Sequence, residues 1–543
     1  MRLDRGISSW QSRTGRIASG VATMMYVSQS LKRALQVKPA GIATIFRGRR
    51  RTWVDSAERI ARLAAGFKRL GLSPGGRVAI LALNGDRYFE FMYAAPWLGA
   101  VMVPINTRLA APEIDYILED SDSEILLLDD SFLAMLDALG PCRGKLRAVV
   151  HMGDGPAPSG LQSYEALIDA NPPIEDQLAG GETLAGIFYT GGTTGKSKGV
   201  MLSHDNLVSN AANAIGGLLY NRDTVYLHAA PMFHLADGAS TFGVTMVGGT
   251  HAFVPKFDPA ECVETMARDR VTNAALVPTM INMLVHSPAV TSHDLSGVQQ
   301  IMYGASPMPE ATLLKILEVL PKCRFVHGWG MTELSPIGSL LDPRYTTLTG
   351  PYAGRIKSCG QAALTAEVRI VDAEDREVPR GTVGEIVVRG PMVMLGYWKK
   401  PEATRAALRD GWMHTGDAAY MDEEGFIFIV DRLKDMVISG GENIYCGEVE
   451  NAISLLPGVM ECAVIGIPDE RWGEAVHAVV VPKPGTNLTP EAVIAPCRTR
   501  IAHYKCPRSV AIRTEPLPLS GAGKILKTSL REPFWRGKEK RVN

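Results

Sequence analysis

The spacing of apolar and polar positions changes along this chain, and the change predicts its organisation. Residues 57–70 place Ile60, Leu63, Ala64, Phe67 and Leu70 on one helical face, and Gly71 supplies the stop. Residues 78–83 are apolar throughout and of strand length. A helical stretch follows at 89–98, then further strands at 100–105 and 125–128. Strands that are apolar on both faces and alternate with helices indicate parallel sheet covered on both sides. Near residue 370 the pattern shifts: 368–371, 385–388 and 426–430 read as strands separated by turns rich in Gly, Asp and Glu, the mark of antiparallel sheet. Beyond about residue 433 a mixed pattern returns, with helices expected at 447–455 and 490–503 and strands at 462–467, 476–481 and 509–513. The expected fold class is multidomain α/β: a large N-terminal domain of stacked α/β sheets with a β-rich subdomain, then a small α+β C-terminal domain. The boundary is placed at 431–435, giving domains of 26–432 and 433–543.

Composition supports this organisation. A chain of 543 residues is too long for one hydrophobic core. It is 46% hydrophobic and 21% charged, with 57 basic and 57 acidic residues, so no nucleic-acid or membrane-surface partner is indicated. No apolar run reaches the ~18 residues of a membrane span. The eight cysteines are scattered without a C-x-x-C pair, which suits free thiols in a reducing cytoplasm and matches no zinc spacing. Residues 1–23 carry Arg2, Arg5, Arg13 and Arg16 against the single acid Asp4. A transit peptide can look like this, but Met24 and Met25 stand just before folded-looking chain, so 1–25 is read as a disordered extension or an early start.

The richest stretch for chemistry runs Tyr189, Thr190, Gly191, Gly192, Thr193, Thr194, Gly195, Lys196, Ser197, Lys198, Gly199, between two apolar strands. Glycines let successive N–H groups turn inward as an anion nest, threonine hydroxyls add donors, and Lys196 and Lys198 add positive charge. A Walker A loop would need glycine where Thr190 stands. The alternative, a flexible linker, fits the composition but not the flanking strands.

This loop resembles the signature of the AMP-forming acyl-adenylate synthetases, the superfamily of acyl-CoA synthetases, peptide-synthetase adenylation domains and beetle luciferases. Further matches follow in the family's order as far as Lys524, and the resemblance covers nearly the whole chain after residue 25. Gly304, Ala305 and Ser306 match the segment lining the adenine and acyl sites. Trp329, Gly330, Met331, Thr332 and Glu333 match the aromatic-Gly-x-Thr-Glu motif: the ring for adenine, Thr332 for a phosphate oxygen, Glu333 with Thr190 for Mg²⁺. Asp417, in Gly-Trp-x-x-Thr-Gly-Asp, is implied to hold the ribose, and Arg432 to assist it. Lys434 is the implied hinge about which a mobile C-terminal domain turns. Gly440, Gly441 and Glu442 match the face that admits the pantetheine arm of CoA, and Lys524 the catalytic lysine. A positioned ammonium there stabilises charge gathering between carboxylate and α-phosphate. Departures from the family pattern are Gly191 for Ser, Ser197 for Pro, Trp329 for Tyr and Cys446 for Pro; none removes a charge or metal ligand.

His234 stands where amino-acid-activating relatives carry an Asp for the substrate ammonium, so an apolar or aryl acid is expected. It is counted with the catalytic residues. Gly238 and its small neighbours suggest room for a medium-chain, branched or aryl acid. The implied activity is that of an acyl-CoA synthetase: the acid and ATP give acyl-AMP, with Mg²⁺ as cofactor, and CoA then takes the acyl group. No carrier domain follows residue 543, which counts against a peptide-synthetase module. The alternatives are a ligase loading a separate carrier protein and a non-catalytic nucleotide binder; intact Lys524, Glu333 and Asp417 speak against the binder. The oligomeric state is open, a homodimer being one option.

Overall fold

The computed structural model describes residues 24–190, 197–304, 308, 310–433, 435–440, 442–519 and 525–536. Among them the chain forms four sheets. The largest has nine strands, in the order Gln361–Ala362, Ile337–Leu341, Arg324–Gly330, Gln300–Gly304, Asn273–Leu276, Val225–His228, Thr250–Phe253, Ile42–Phe46 and Arg49–Thr52. Its centre is parallel and its edges antiparallel. A second sheet of eight strands is built around Arg77–Leu81, Val101–Pro104 and Ser123–Leu128, all parallel. The expected β-rich part is an antiparallel sheet of Glu367–Val371, Gly384–Arg389, Trp412–Met421, Leu408–Arg409 and Ile427–Arg432.

Period-two burial explains the unbroken apolar strands. Val78, Ile80, Ile125 and Leu127 enter one core, while Ala79, Leu81, Leu126 and Leu128 enter another on the opposite face. Helix Trp53–Arg69 begins where Thr52 and Asp55 form a capping box and ends with Lys68 and Arg69 in its last turn, complementing the helix dipole at both ends. Helix Asp86–Trp97 is buried at every position but Arg87, as a helix between two sheets must be. Its one internal acid, Glu90, receives Arg59 Nε at 2.6 Å and the Tyr164 hydroxyl at 2.8 Å, which offsets the cost of burying a charge.

The first described residues are pinned to the chain around residues 181–204. Met25 accepts from the Gly181 N–H at 2.8 Å, and the Val27 N–H donates to His204 Nδ1 at 3.2 Å. Burial depresses His204 to about 4, which keeps it neutral as an acceptor. Residues 1–23, read above as an extension, lie outside the described residues.

The small C-terminal sheet pairs Val459–Asp469 with Gly473–Pro482 and adds Val437–Ser439, Glu442–Ile444 and Ser509–Ile512. Helix Cys446–Ser454 packs on it. The helix expected over 490–503 is shorter, Pro490–Cys497, because Pro496 brings no N–H to the last turn; a 3₁₀ turn, His503–Lys505, follows separately. All eight cysteines are free thiols, and burial pushes Cys262 and Cys359 up to about 12. No helix among the described residues is long and apolar enough to cross a membrane.

Glu165 offers a test of this packing. Burial alone would raise its carboxyl, but the guanidinium groups of Arg59 and Arg87 outweigh that and hold it at about 2, below the ordinary 4.5. A depressed acid stabilises the fold above its unfolded value and loses that contribution on acidification. The wild-type chain should therefore exceed Glu165→Gln in urea midpoint above pH 4.5, and the advantage should shrink to nothing as pH falls toward about 2.

Candidate active site

The phosphate-loop hairpin is built as expected. Strands Leu184–Thr190 and Lys198–Ser203 pair antiparallel, with Thr190 directly opposite Lys198 at the loop's mouth. Helix Ala111–Asp120 braces both ends of the loop: Tyr189 donates to Asp120 at 2.7 Å, and Tyr116 donates to the Ser197 carbonyl at 3.2 Å. Gly191, Gly192, Thr193, Thr194, Gly195 and Lys196 themselves lie outside the described residues, as do Ala305, Ser306, Lys434, Gly441 and Lys524.

From Lys198 a short run of contacts leads to the expected metal ligand. The Lys198 ammonium sits 5.0 Å from the centre of the Tyr397 ring, and the Tyr397 hydroxyl donates to Glu333 Oε1 at 2.8 Å. Glu333 is buried, at the start of a 3₁₀ turn, Thr332–Leu334, while Thr332 is half-buried. Tyr397 was not anticipated. Its strand, Gly396–Tyr397, adds to the hairpin opposite Val200 and Met201, and the only hint in the sequence is an aromatic pair, Tyr397 and Trp398, after a glycine. Burial and the neighbouring Glu333 charge both raise the Tyr397 phenol, so it remains a donor.

Asp417 forms a second focus. It is buried, and each carboxylate oxygen has a partner: Trp329 Nε1 donates to Oδ2 at 2.9 Å, and Arg432 Nε lies 2.8 Å from Oδ1. Asp417 and Arg432 are directly opposed in the antiparallel pair of Trp412–Met421 with Ile427–Arg432. The Trp329 ring is packed into the core, close against Gly338. The residue expected to offer a face to adenine thus acts in this structure first as a hydrogen-bond donor that orients Asp417. Nearby, a Cβ on Gly304 would lie 2.3 Å from the Gly328 carbonyl oxygen, and one on Gly330 would lie 1.8 Å from that of Pro336. Only glycine fits at either place, and the strand ends Gln300–Gly304 and Arg324–Gly330 lie bare side by side. Met331 is half-buried beside them.

The expected acid-binding segment carries one surprise and one correction. His234 precedes the short helix Leu235–Gly238 without a side-chain capping bond and touches the Phe233 ring, with centroids 4.4 Å apart. The segment's one acid, Asp237, is wholly buried; His228 Nδ1 lies 2.6 Å from Oδ2 and the Tyr226 hydroxyl donates to Oδ1 at 3.1 Å. Gly238 does not open space as expected: a Cβ there would lie 2.3 Å from the Met232 carbonyl oxygen, so the backbone already fills the volume.

Gly440 and Glu442 stand apart from these groups, on the hairpin of Val437–Ser439 with Glu442–Ile444 in the small sheet. Gly440 has φ +63° and donates its N–H to the Trp472 carbonyl at 2.8 Å, with the Trp472 ring where a side chain would be. No three His, Cys, Asp or Glu side chains gather as a metal cluster among the described residues.

Comparison with known proteins places the chain in a family. The family model described as AMP-binding enzyme matches residues 31–398, and that of the AMP-binding enzyme C-terminal domain matches 448–524. A feruloyl-CoA synthase of an Amycolatopsis species is 40% identical over 503 residues, 92% of this chain and 98% of that protein. The fatty acid–[acyl-carrier-protein] ligase ScoC of Streptomyces coeruleorubidus is 33% identical over 518 residues, covering 94% and 96%. The crystal structure of ATP-bound MatB from Rhodopseudomonas palustris superposes with a TM-score of 0.84 at 31% identity, covering 95% of this chain and all of that one. The chain therefore belongs to the AMP-binding enzyme family and carries both of its domains.

Proposed function

We propose that this protein is an AMP-forming acyl-CoA synthetase that activates an apolar or aryl carboxylic acid. The observation that carries the reading is the run of contacts from Lys198 through Tyr397 to Glu333, which sets a cation and a buried carboxylate at the mouth of a phosphate loop. ATP and CoA are the co-substrates. An oxygen of the acid attacks the α-phosphorus of ATP, the bond to the departing pyrophosphate breaks, and acyl-AMP forms. The CoA thiol then loses its proton, adds to the acyl carbonyl and expels AMP.

Asp417, fixed by Trp329 and Arg432, accepts hydrogen bonds from the ribose hydroxyls. The bare shelf at Gly304 and Gly330 lets the flat adenine ring lie against backbone. Thr190, Thr332, Lys198 and the loop residues 191–196 would bind the phosphates, and the Lys524 ammonium would stabilise charge gathering on the reacting carboxylate and α-phosphate. Glu333 suits Mg²⁺, which usually takes one or two protein carboxylates and leaves the rest of its shell to phosphates and water; when bound, the ion would neutralise phosphate charge. Rotation of residues 433–543 about Lys434 would bring Gly440, Gly441 and Glu442 to the site for the second step, keeping acyl-AMP from water.

The choice of acid rests on Asp237 and His234. The segment's carboxylate, Asp237, is already paired to His228 and Tyr226, and His234 offers no fixed negative charge. The feruloyl-CoA synthase relative supports an aryl acid. The ScoC relative supports a second reading, in which a carrier protein replaces CoA. Free buried thiols suit the cytoplasm as the place of action.

A panel of fatty, branched, benzoic, cinnamic and amino acids, assayed with MgATP with and without CoA, tests the reading. An aryl or apolar acid should give CoA-dependent AMP release, amino acids should give none, and Lys524→Ala should slow adenylation by ~10²-fold or more. Adenylation that CoA never stimulates would favour the carrier-protein reading, and absence of ATP–pyrophosphate exchange with every acid would sink both. Tyr397→Phe removes a hydrogen bond to a charged group and should raise KM for MgATP about tenfold while leaving KM for the acid nearly unchanged.

A further inference from the structure

Three asparagines lie on one face of helix His204–Leu218, and each grips the backbone of a different segment. Asn206, Asn210 and Asn213 recur at i, i+4 and i+7, and all three are buried. The helix starts directly after Lys198–Ser203, the second strand of the phosphate-loop hairpin. Asn206 completes its capping box: Oδ1 accepts the Ser203 N–H at 2.8 Å, and the Asn206 N–H donates to Ser203 Oγ at 3.1 Å. Its amide nitrogen donates elsewhere, to the carbonyls of Pro391 at 2.8 Å and Val393 at 2.9 Å. Asn210 repeats that fork on the carbonyls of Leu334 at 2.9 Å and Ile337 at 3.0 Å. Asn213 accepts the Thr365 N–H at 3.0 Å, two residues before strand Glu367–Val371.

The segments gripped by Asn206 and Asn210 carry the acid and the phenol of the candidate site. Leu334 follows Glu333 directly, and Val393 stands four residues before Tyr397. Three of the four carbonyls, those of Pro391, Val393 and Leu334, belong to residues outside any strand, so no strand ladder supplies their partners. Between Leu334 and Ile337 the chain passes through Ser335 at φ +66°. A residue with a side chain keeps that left-handed conformation only where its surroundings hold it. The two segments are also laced to each other: Ser335 Oγ donates to the Met392 carbonyl at 2.8 Å, and the Met394 N–H to the Glu333 carbonyl at 2.9 Å. An apolar side chain at 206 or 210 would fill the volume and leave two carbonyls without these donors.

We infer that Asn206 and Asn210 are positioning residues. Their forked amide bonds hold the Glu333 turn and the chain before Tyr397 against the helix that follows the phosphate loop, and so set the Tyr397–Glu333 pair for MgATP. The inference rests on the proposed role of Glu333 toward the metal. Each asparagine acts through backbone: Asn210 through the turn that begins beside Glu333, and Asn206 through the stretch that leads into strand Gly396–Tyr397. Asn213 shares their burial and their helix face but grips neither segment. A role in packing alone therefore makes the three asparagines behave alike, and a positioning role sets Asn213 apart.

The test uses the full-length chain as wild type, Asn206→Asp, Asn210→Ala and Asn213→Ala. Asn206→Asp keeps the acceptor for the Ser203 N–H and loses only the two donations, so the helix cap survives. Three readouts are taken: the Kd of MgATP by calorimetry without any acid, the KM of the acid, and the urea midpoint. Asn206→Asp and Asn210→Ala should weaken MgATP binding about tenfold, as losses behind a metal ligand do, with the KM of the acid nearly unchanged. Asn213→Ala should lower the urea midpoint and leave MgATP binding as it is. In a Tyr397→Phe background, Asn206→Asp should cost less MgATP binding than in the wild type, because the two act through one contact. Equal weakening by Asn213→Ala, unchanged binding in the other two, or a full loss in the Tyr397→Phe background would overturn the inference. If the wild type binds no MgATP, the inference and the synthetase reading fall together. If the binding pattern holds while no acid supports ATP–pyrophosphate exchange, the positioning role stands and the synthetase reading falls.

Discussion

Asp417 is the point on which the site's geometry depends, because it joins elements that the chain brings from three places. Trp329 comes from the nine-stranded sheet, Asp417 from the antiparallel sheet, and Arg432 from the last strand before the small domain. A buried carboxylate is costly unless its oxygens are satisfied, and here an indole N–H and a guanidinium satisfy one each. The same bonds fix the direction in which the carboxylate presents its remaining lone pairs. They also anchor the strand Ile427–Arg432, which leads into the segment before the small sheet.

Around that point the structure places polar groups sparingly and pairs them. Glu90 in the central helix is met by Arg59 and Tyr164, and Asp237 in the acid-binding segment by His228 and Tyr226. His228 in turn meets His251 at 3.0 Å, and His251 meets Thr245 at 3.1 Å, so the chain of partners closes within the core. These side chains hold the walls of the site without lending charge to it. Asp237 is thus already paired within the core, and a count of acids in the sequence would misjudge what this segment presents.

Much of this was legible in advance. Strand runs such as 78–83 and 125–128 announce burial on both faces, and the helix at 57–70 declares itself by its apolar stripe and its Gly71 stop. The glycine-, threonine- and lysine-rich loop stands out by residue type between two strands, whereas Glu333, Asp417 and Arg432 are singled out by the family resemblance. Less legible were features that depend on what arrives from elsewhere. Gly238 looked like space, and proved to be a place where the Met232 backbone comes close. Trp329 looked like a stacking surface, and its indole nitrogen proved to be a bond to Asp417. Tyr397 carried only the faint signal of an aromatic pair after a glycine, since its contacts exist only because its strand docks beside Lys198.

The sequence by itself determined the order of elements and the two-part organisation, because periodicity is a local property of a chain, and its motifs singled out side chains such as Glu333 and Asp417 as candidates. Only the tertiary structure decided which of those side chains share partners, and which glycine makes room and which is already filled. Those outcomes depend on pairings between residues far apart in sequence, such as Trp329 with Asp417 or Tyr397 with Glu333, and register and packing between distant strands are set by the whole fold.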